Sequence, residues 1–252
     1  MLSALLDLFF PPRCVHCLAY IKGGSVARSM GAKRLYALCE VCRATVAIER
    51  TFFCGKCRNR IPTGHRVSPC HPSFPYVLGA ATRYADPAPR ELILALKFRH
   101  VRDAARDLGG FLNSYLLATH YSPFDAAQGK LLTTRSVIVP IPLGPYRARQ
   151  RGYNQAELIA REVALRLGLP LRTDILRRTR NTSPQSEARD HSFRKKNVAG
   201  AFSADPAKLP GITTIFLVDD VTTSGATLRE AALALKAASP SLRIIALVAA
   251  HA

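Results

Sequence analysis

The stretch Ile215-Phe-Leu-Val-Asp219-Asp220-Val-Thr222-Thr223-Ser224-Gly225-Ala226-Thr227 decides the reading of this chain. Thr213 to Val218 has the length and apolar character of a buried strand, and Leu228, Ala231, Ala232 and Leu235 recur at helical spacing just beyond the stretch. A strand therefore delivers two carboxylates at its tip, and a run of hydroxyls with one glycine opens the next helix. Backbone N–H groups at a helix N-terminus, with Thr and Ser hydroxyls beside them, form a nest for phosphate. Asp219 and Asp220 cannot ligate phosphate, but they can accept hydrogen bonds from vicinal sugar hydroxyls or hold Mg²⁺ through water. A diol acceptor beside a monophosphate cradle suits a ribose 5-phosphate. The competing structural role is a capped helix start whose hydroxyls satisfy a turn.

The same grammar extends outward in both directions. Val137 to Ile141 and Ile244 to Val248 read as further buried strands. Ala156, Ile159, Ala160, Val163, Ala164 and Leu167 form a helical stripe closed by Gly168 and Pro170. Strands spaced by such helices predict an α/β fold with a mainly parallel sheet flanked by helices, and ligands at the carboxyl ends of the strands. This pattern begins at Tyr76 and defines a domain over 76–252. Residues 177–200 are polar and basic and read as a long loop, which at that length inside a compact domain is usually functional or disordered.

Before that domain the grammar differs. All seven cysteines precede residue 71, as Cys14-x-x-Cys17, Cys39-x-x-Cys42, Cys54-x-x-Cys57 and a single Cys70. A C-x-x-C pair converges two sulfurs on one tetrahedral ion, and two pairs complete a thiolate shell. A cysteine-rich zinc-ribbon module over 1–75 is expected, with a first site at Cys14, Cys17, Cys39 and Cys42. A second site takes Cys54, Cys57 and Cys70, with His65 or His71 as the fourth ligand, although a histidine directly after Cys70 is sterically awkward. A single ion assembled from another choice of pairs is the alternative. A disulfide framework fits poorly, since the odd count leaves one thiol unpaired and nothing at the N-terminus reads as a secretion signal. So loop-rich a module depends on metal to fold. Replacing Cys14 or Cys39 is expected to unfold it and leave the sheet domain folded.

Of the 252 residues, 48% are hydrophobic and 21% charged, which excludes wholesale disorder. No apolar run is long enough for a membrane span, and the expected compartment is the cytoplasm. The charge is unusual: 36 Lys and Arg against 17 Asp and Glu give +19. The excess concentrates in 1–75 and 144–200 and favours polyanionic partners. In the second of these segments Arg147, Arg149 and Arg151 follow a strand end, and guanidinium groups suit bidentate capture of phosphate oxygens.

Three segments carry a resemblance to a known family. The string from Ile215 to Thr227 resembles the phosphoribosyl pyrophosphate motif of type I phosphoribosyltransferases. Val139-Pro-Ile-Pro-Leu143 with Tyr146-Arg-Ala-Arg149-Gln-Arg151-Gly-Tyr153-Asn154-Gln155-Ala-Glu157 resembles the ComF family signature, as does Arg178-Thr-Arg-Asn-Thr182-Ser-Pro-Gln185 with Arg194, Asn197 and Ala201-Phe202. Members of that family place a zinc module before a phosphoribosyltransferase-like domain. Two positions depart from its pattern: Cys70-His-Pro-Ser73 where many members carry another C-x-x-C, and Ala188 where leucine is usual.

The resemblance implies phosphoribosyl pyrophosphate with magnesium at Asp219, Asp220, Thr222, Thr223, Ser224, Gly225, Ala226 and Thr227. It further implies pyrophosphate contact from Arg147, Arg149 and Arg151, a lid carrying Thr182, Gln185, Arg194 and Asn197, and structural zinc. It implies a part in competence and in the use of imported DNA, with single-stranded DNA and a competence helicase or other DNA-processing proteins as partners. The physical reading leaves two functions open. One is binding, with the basic surface gripping single-stranded DNA and Tyr146, Tyr153 and Phe193 stacking on bases. The other is transfer of phosphoribose to an unknown acceptor with loss of pyrophosphate, with no certain catalytic residue.

Overall fold

The computed structural model describes residues 12–21, 36–61, 70–119, 124–125, 130–131, 135–179 and 200–252. In chain order these form α1 (Glu40–Ala44), β1 (Phe52–Cys54), β2 (Arg60–Ile61), β3 (Val77–Arg83), α2 (Pro87–Phe98), α3 (Ala104–Ala118), a hairpin of β4 (Phe124–Asp125) and β5 (Lys130–Leu131), β6 (Ser136–Pro140), α4 (Pro145–Arg151), α5 (Gln155–Leu167), β7 (Leu176–Arg178), β8 (Phe202–Ala204), β9 (Thr214–Thr222), α6 (Ala226–Ala238) and β10 (Arg243–His251). Among the described residues no helix is long and apolar enough to cross a membrane.

The apolar runs become strands because both faces of the sheet are covered, so no polar alternation is needed. Ile215 and Leu217 face α6, where Leu228, Ala231 and Leu235 pack with Val137, Val139 and Phe202. Phe216 and Val218 face the other way, into a cluster holding Leu92 and Ile93 of α2, Leu108, Leu112 and Tyr115 of α3, and Ile159 and Val163 of α5. Each such side chain contributes about 1.5 to 3 kcal/mol by leaving water. The stripe expected over Ala156 to Leu167 is the buried face of α5. Asn154 caps that helix by accepting from the Ala156 N–H, and Gly168 ends it at a left-handed φ of 64°.

The main sheet runs β6-β9-β10-β3-β1-β2. The four strands from β6 to β3 are parallel, and β1 and β2 add antiparallel at the end. Beyond β6, Leu171 bridges Ile138 in parallel. The chain leaving β6 thus runs through α5 to that outer edge, whereas the chain leaving β9 runs through α6, on the opposite face, to β10. Their neighbouring carboxyl ends diverge, and the crevice so formed is where ligands bind in open α/β sheets.

Two details differ from the sequence reading. The basic segment after β6 is a short helix, α4, with Pro145 in its first turn and Gly152 ending it at φ 71°, because proline there presets helical φ. The loop read over 177–200 is rooted on an antiparallel pair, β7 with β8; Thr182, Gln185, Arg194 and Asn197 lie outside the described residues.

The expected boundary near residue 75 falls between β2 and β3, two strands of one sheet. The cysteine-rich segment also shares the core, since Cys14, Leu38, Cys42 and Phe52 belong to the cluster of α2 and α3. Asp107 of α3 ties it down further, accepting from the Ala37 and Leu38 N–H groups at 2.7 and 3.2 Å and lying 3.4 Å from Arg43. Burial raises the Asp107 carboxyl to about 6, against those two hydrogen bonds and the charges of Arg43 and Arg106.

Candidate functional site

β6 stops at Pro140, which pairs with Val218. On that side β9 runs on alone for its last four residues, while β10 supports it on the other through His251 opposite Thr222. Asp219 and Asp220 therefore stand where the sheet has lost one neighbour. Asp220 is buried, and Lys97 at the end of α2 lies 2.7 Å from its Oδ1. The Asp220 N–H donates to Asp219 Oδ1 at 2.9 Å. Desolvation, and then the charge of Asp220, raise the Asp219 carboxyl to about 7, opposed by Lys97, that hydrogen bond and Arg178.

Cations ring the carboxylate pair from three elements. Arg147 and Arg151 are four residues apart on α4 and share one face, while Arg149 points away from it. Burial lowers the Arg151 guanidinium below its usual value and the Asp220 charge opposes this. Arg178 of β7 is lowered by burial and by Arg147, with Asp219 opposing. Arg151 is thus half-buried and feels the charges of Asp220 and Arg147, whereas Arg147 and Arg149 are both exposed. Lys97 and Arg178 escaped the sequence reading as partners of the carboxylates, since neither lies in the motif. Of the aromatics, Tyr146 is exposed, whereas Tyr153 donates its hydroxyl to the Leu96 carbonyl and carries Arg102 over its ring. Phe193 lies outside the described residues.

After β9 the chain turns through Thr223 and Ser224 to Gly225, which stands before α6 at φ 74°. That left-handed conformation favours glycine. Thr222 is buried, Thr223 and Ser224 are exposed, and Ser224 Oγ accepts from the Ala226 N–H at 3.4 Å. Ala226 and Thr227 open the 13-residue helix, so their N–H groups are among those no helical carbonyl takes. The eight residues from Asp219 to Thr227 named in the sequence reading therefore form one continuous rim.

The cysteines assemble into two four-ligand groups: Cys14, Cys17, Cys39 and Cys42, and Cys54, Cys57, Cys70 and His71. In each, the ligand atoms lie within 4.8 Å of one another. Sulfurs around a four-coordinate zinc at ~2.3 Å would stand ~3.8 Å apart, and the Cys17 and Cys39 sulfurs are 3.7 Å apart. His71 turns Nδ1 to within 3.3 Å of Cys70 Sγ and 3.4 Å of Cys54 Sγ, so its adjacency to Cys70 does not prevent convergence. His65 lies outside the described residues. Burial raises the Cys14 thiol, but the N–H groups of Cys17, Cys39 and His16 outweigh it and bring it down to about 7. Cys54 is likewise raised by burial yet lowered to about 6 by Cys57 and Lys56 N–H groups and by His71. Each group can hold a metal ion.

A phosphoribosyl transferase domain model matches residues 154–252, which include the acidic pair and the phosphate-type loop. Competence protein F of Haemophilus influenzae is 29% identical over 229 residues, spanning 88% of this chain and 90% of that protein. DNA utilization protein YhgH of Salmonella typhi is 30% identical over 202 residues, 78% of this chain and 83% of the relative. The protein of that name from Escherichia coli K12 is 30% identical over 205 residues, with the same coverage. These relatives establish that the chain belongs to the ComF family, with a phosphoribosyltransferase fold.

Proposed function

We propose that the chain binds phosphoribosyl pyrophosphate with magnesium in the crevice between β6 and β9, and single-stranded DNA on its basic surface, in the handling of imported DNA. The observation that carries this reading is the acidic pair at the strand divergence, directly continuous with the Gly225 loop. Asp219 and Asp220 would accept the ribose hydroxyls, the α6 N-terminus and the Thr and Ser hydroxyls the 5′-phosphate, and Arg147 and Arg151 the pyrophosphate. Magnesium would neutralise pyrophosphate charge. Zinc is the metal we assign to both four-ligand groups, with Cys54, Cys57, Cys70 and His71 forming the second.

Calorimetric titration with phosphoribosyl pyrophosphate and magnesium tests the crevice directly. Affinity is expected to strengthen as pH rises through about 7, because Asp219 must ionise to be a full acceptor. No heat of binding at any pH between 6 and 9 rejects the assignment. Pyrophosphate release that depends on an added acceptor would make the protein a transferase.

The names of the relatives, competence and DNA utilization, support the second half of the reading, as does the net charge of +19. Single-stranded DNA should bind with a log–log salt slope of about 0.7 per phosphate contact. Charge reversal at Arg194, Lys195 and Lys196 should flatten that slope, and an affinity independent of salt would remove its electrostatic basis.

A further inference from the structure

The two cysteine turns share one backbone. Leu18 and Arg58 each follow the second cysteine of a pair, adopt left-handed φ values of 63° and 62°, and donate their N–H to the carbonyl of the first, at 3.0 and 2.9 Å. Such a conformation is uncommon for any residue but glycine and persists where its surroundings over-determine it. Here the over-determining element is the turn whose sulfurs converge. The side chains then part company. Leu18 is exposed, whereas Arg58 crosses to a loop 165 residues away and donates Nη2 to the Thr223 carbonyl at 3.3 Å.

The contact lies at the one glycine of that loop. A Cβ on Gly225 would stand 2.7 Å from Arg58 Nη2 and 2.7 Å from Tyr76 Oη. Tyr76 in turn backs the cysteine turn, because a Cβ on Gly55 would lie 2.6 Å from both the Tyr76 carbonyl and the Phe74 ring. Turn, tyrosine and loop are in mutual van der Waals contact.

We propose that the second four-ligand group is a clamp on the phosphate loop, acting through Arg58 as a positioning residue. Bound metal fixes the Cys54–Cys57 turn, the turn fixes the left-handed Arg58, and Arg58 holds the Thr223 carbonyl and with it the backbone from Thr223 to Ala226. The guanidinium also adds positive charge beside the loop. Metal occupancy and affinity for a sugar phosphate are thereby coupled. The ligand half of this inference rests on the phosphoribosyl pyrophosphate reading; the clamp half does not.

The full-length protein and its Arg58→Ala, Arg58→Lys and His71→Ala variants provide the test, by hydrogen exchange of the Thr223 to Ala226 amides and by calorimetry with phosphoribosyl pyrophosphate and magnesium. Arg58→Ala should speed exchange at the loop and weaken binding about tenfold, the range of one charge-assisted hydrogen bond, and Arg58→Lys should recover part of both. His71→Ala should lose one equivalent of metal and reproduce the Arg58→Ala defect, and the double variant should be no worse than His71→Ala alone. Unchanged exchange in Arg58→Ala, or defects that add in the double variant, overturns the clamp. Wild-type protein that binds no phosphoribosyl pyrophosphate overturns the proposed ligand, and the exchange measurement then decides the clamp alone.

Discussion

Replacing both Asp219 and Asp220 with asparagine should weaken phosphoribosyl pyrophosphate binding by about a hundredfold or more, since two charge-assisted acceptors are lost at the ribose hydroxyls. The fold should survive. Asp219 holds its proton in the folded state up to about pH 7, against 3.8 ordinarily. Its contribution to stability is therefore fully present below about pH 4 and is lost as pH rises through 7. Asparagine cannot ionise, so Asp219→Asn alone should hold stability flatter between pH 4 and 8. A residual decline from Asp107, raised to about 6, should remain. Asp220 behaves differently, because Lys97 accompanies it at 2.7 Å and the asparagine leaves that ammonium without its counter-charge. Urea unfolding across this pH range separates the two carboxylates, and calorimetry showing undiminished affinity in the double variant would refute the ribose assignment.

Loss of the first four-ligand group should unfold far more than the segment that carries it. Cys14→Ser or Cys42→Ser removes a ligand whose neighbours Leu38 and Phe52 are fully buried against the helices of the sheet. Structural zinc supplies about 10 to 16 kcal/mol of folding free energy in zinc-finger peptides. Losing even part of that should lower the melting temperature by about 10 °C or more in a domain of this size. The sequence suggested a module that could unfold by itself, but the shared core and the Asp107 hydrogen bonds to Ala37 and Leu38 make the loss common to both parts. Scanning calorimetry should show one transition shifted downward as a whole. A sheet transition left at the wild-type temperature would show that the parts are separable.

The parallel core was legible because its strands are buried on both faces and its helices carry their own stop signals, as Asn154 and Gly168 do for α5. The rim from Asp219 to Thr227 was legible because nine consecutive residues supply it. What escaped came from distant segments. Lys97 reaches Asp220 from 123 positions away, and Arg58 reaches Thr223 from 165; no local pattern encodes either pairing. β1 is only three residues, Phe52–Cys54, too short to show the alternation that would have joined the cysteine segment to the sheet. The sequence offers His71 only as one of two candidate ligands, awkwardly placed beside Cys70, and its approach to Cys54 and Cys70 comes from the fold.

The strand order has a temporal side. β9 and β10 lie at the middle of the sheet, yet they follow β3 and β6, their outer partners in the parallel set, along the chain. During synthesis β3 and β6 emerge with no strand between them, and their apolar faces must wait for the last segments to arrive. Contacts of such long sequence separation form slowly, and waiting strands are open to self-association. The cysteine groups are complete by residue 71, so metal can fasten the early segments while the centre is still missing.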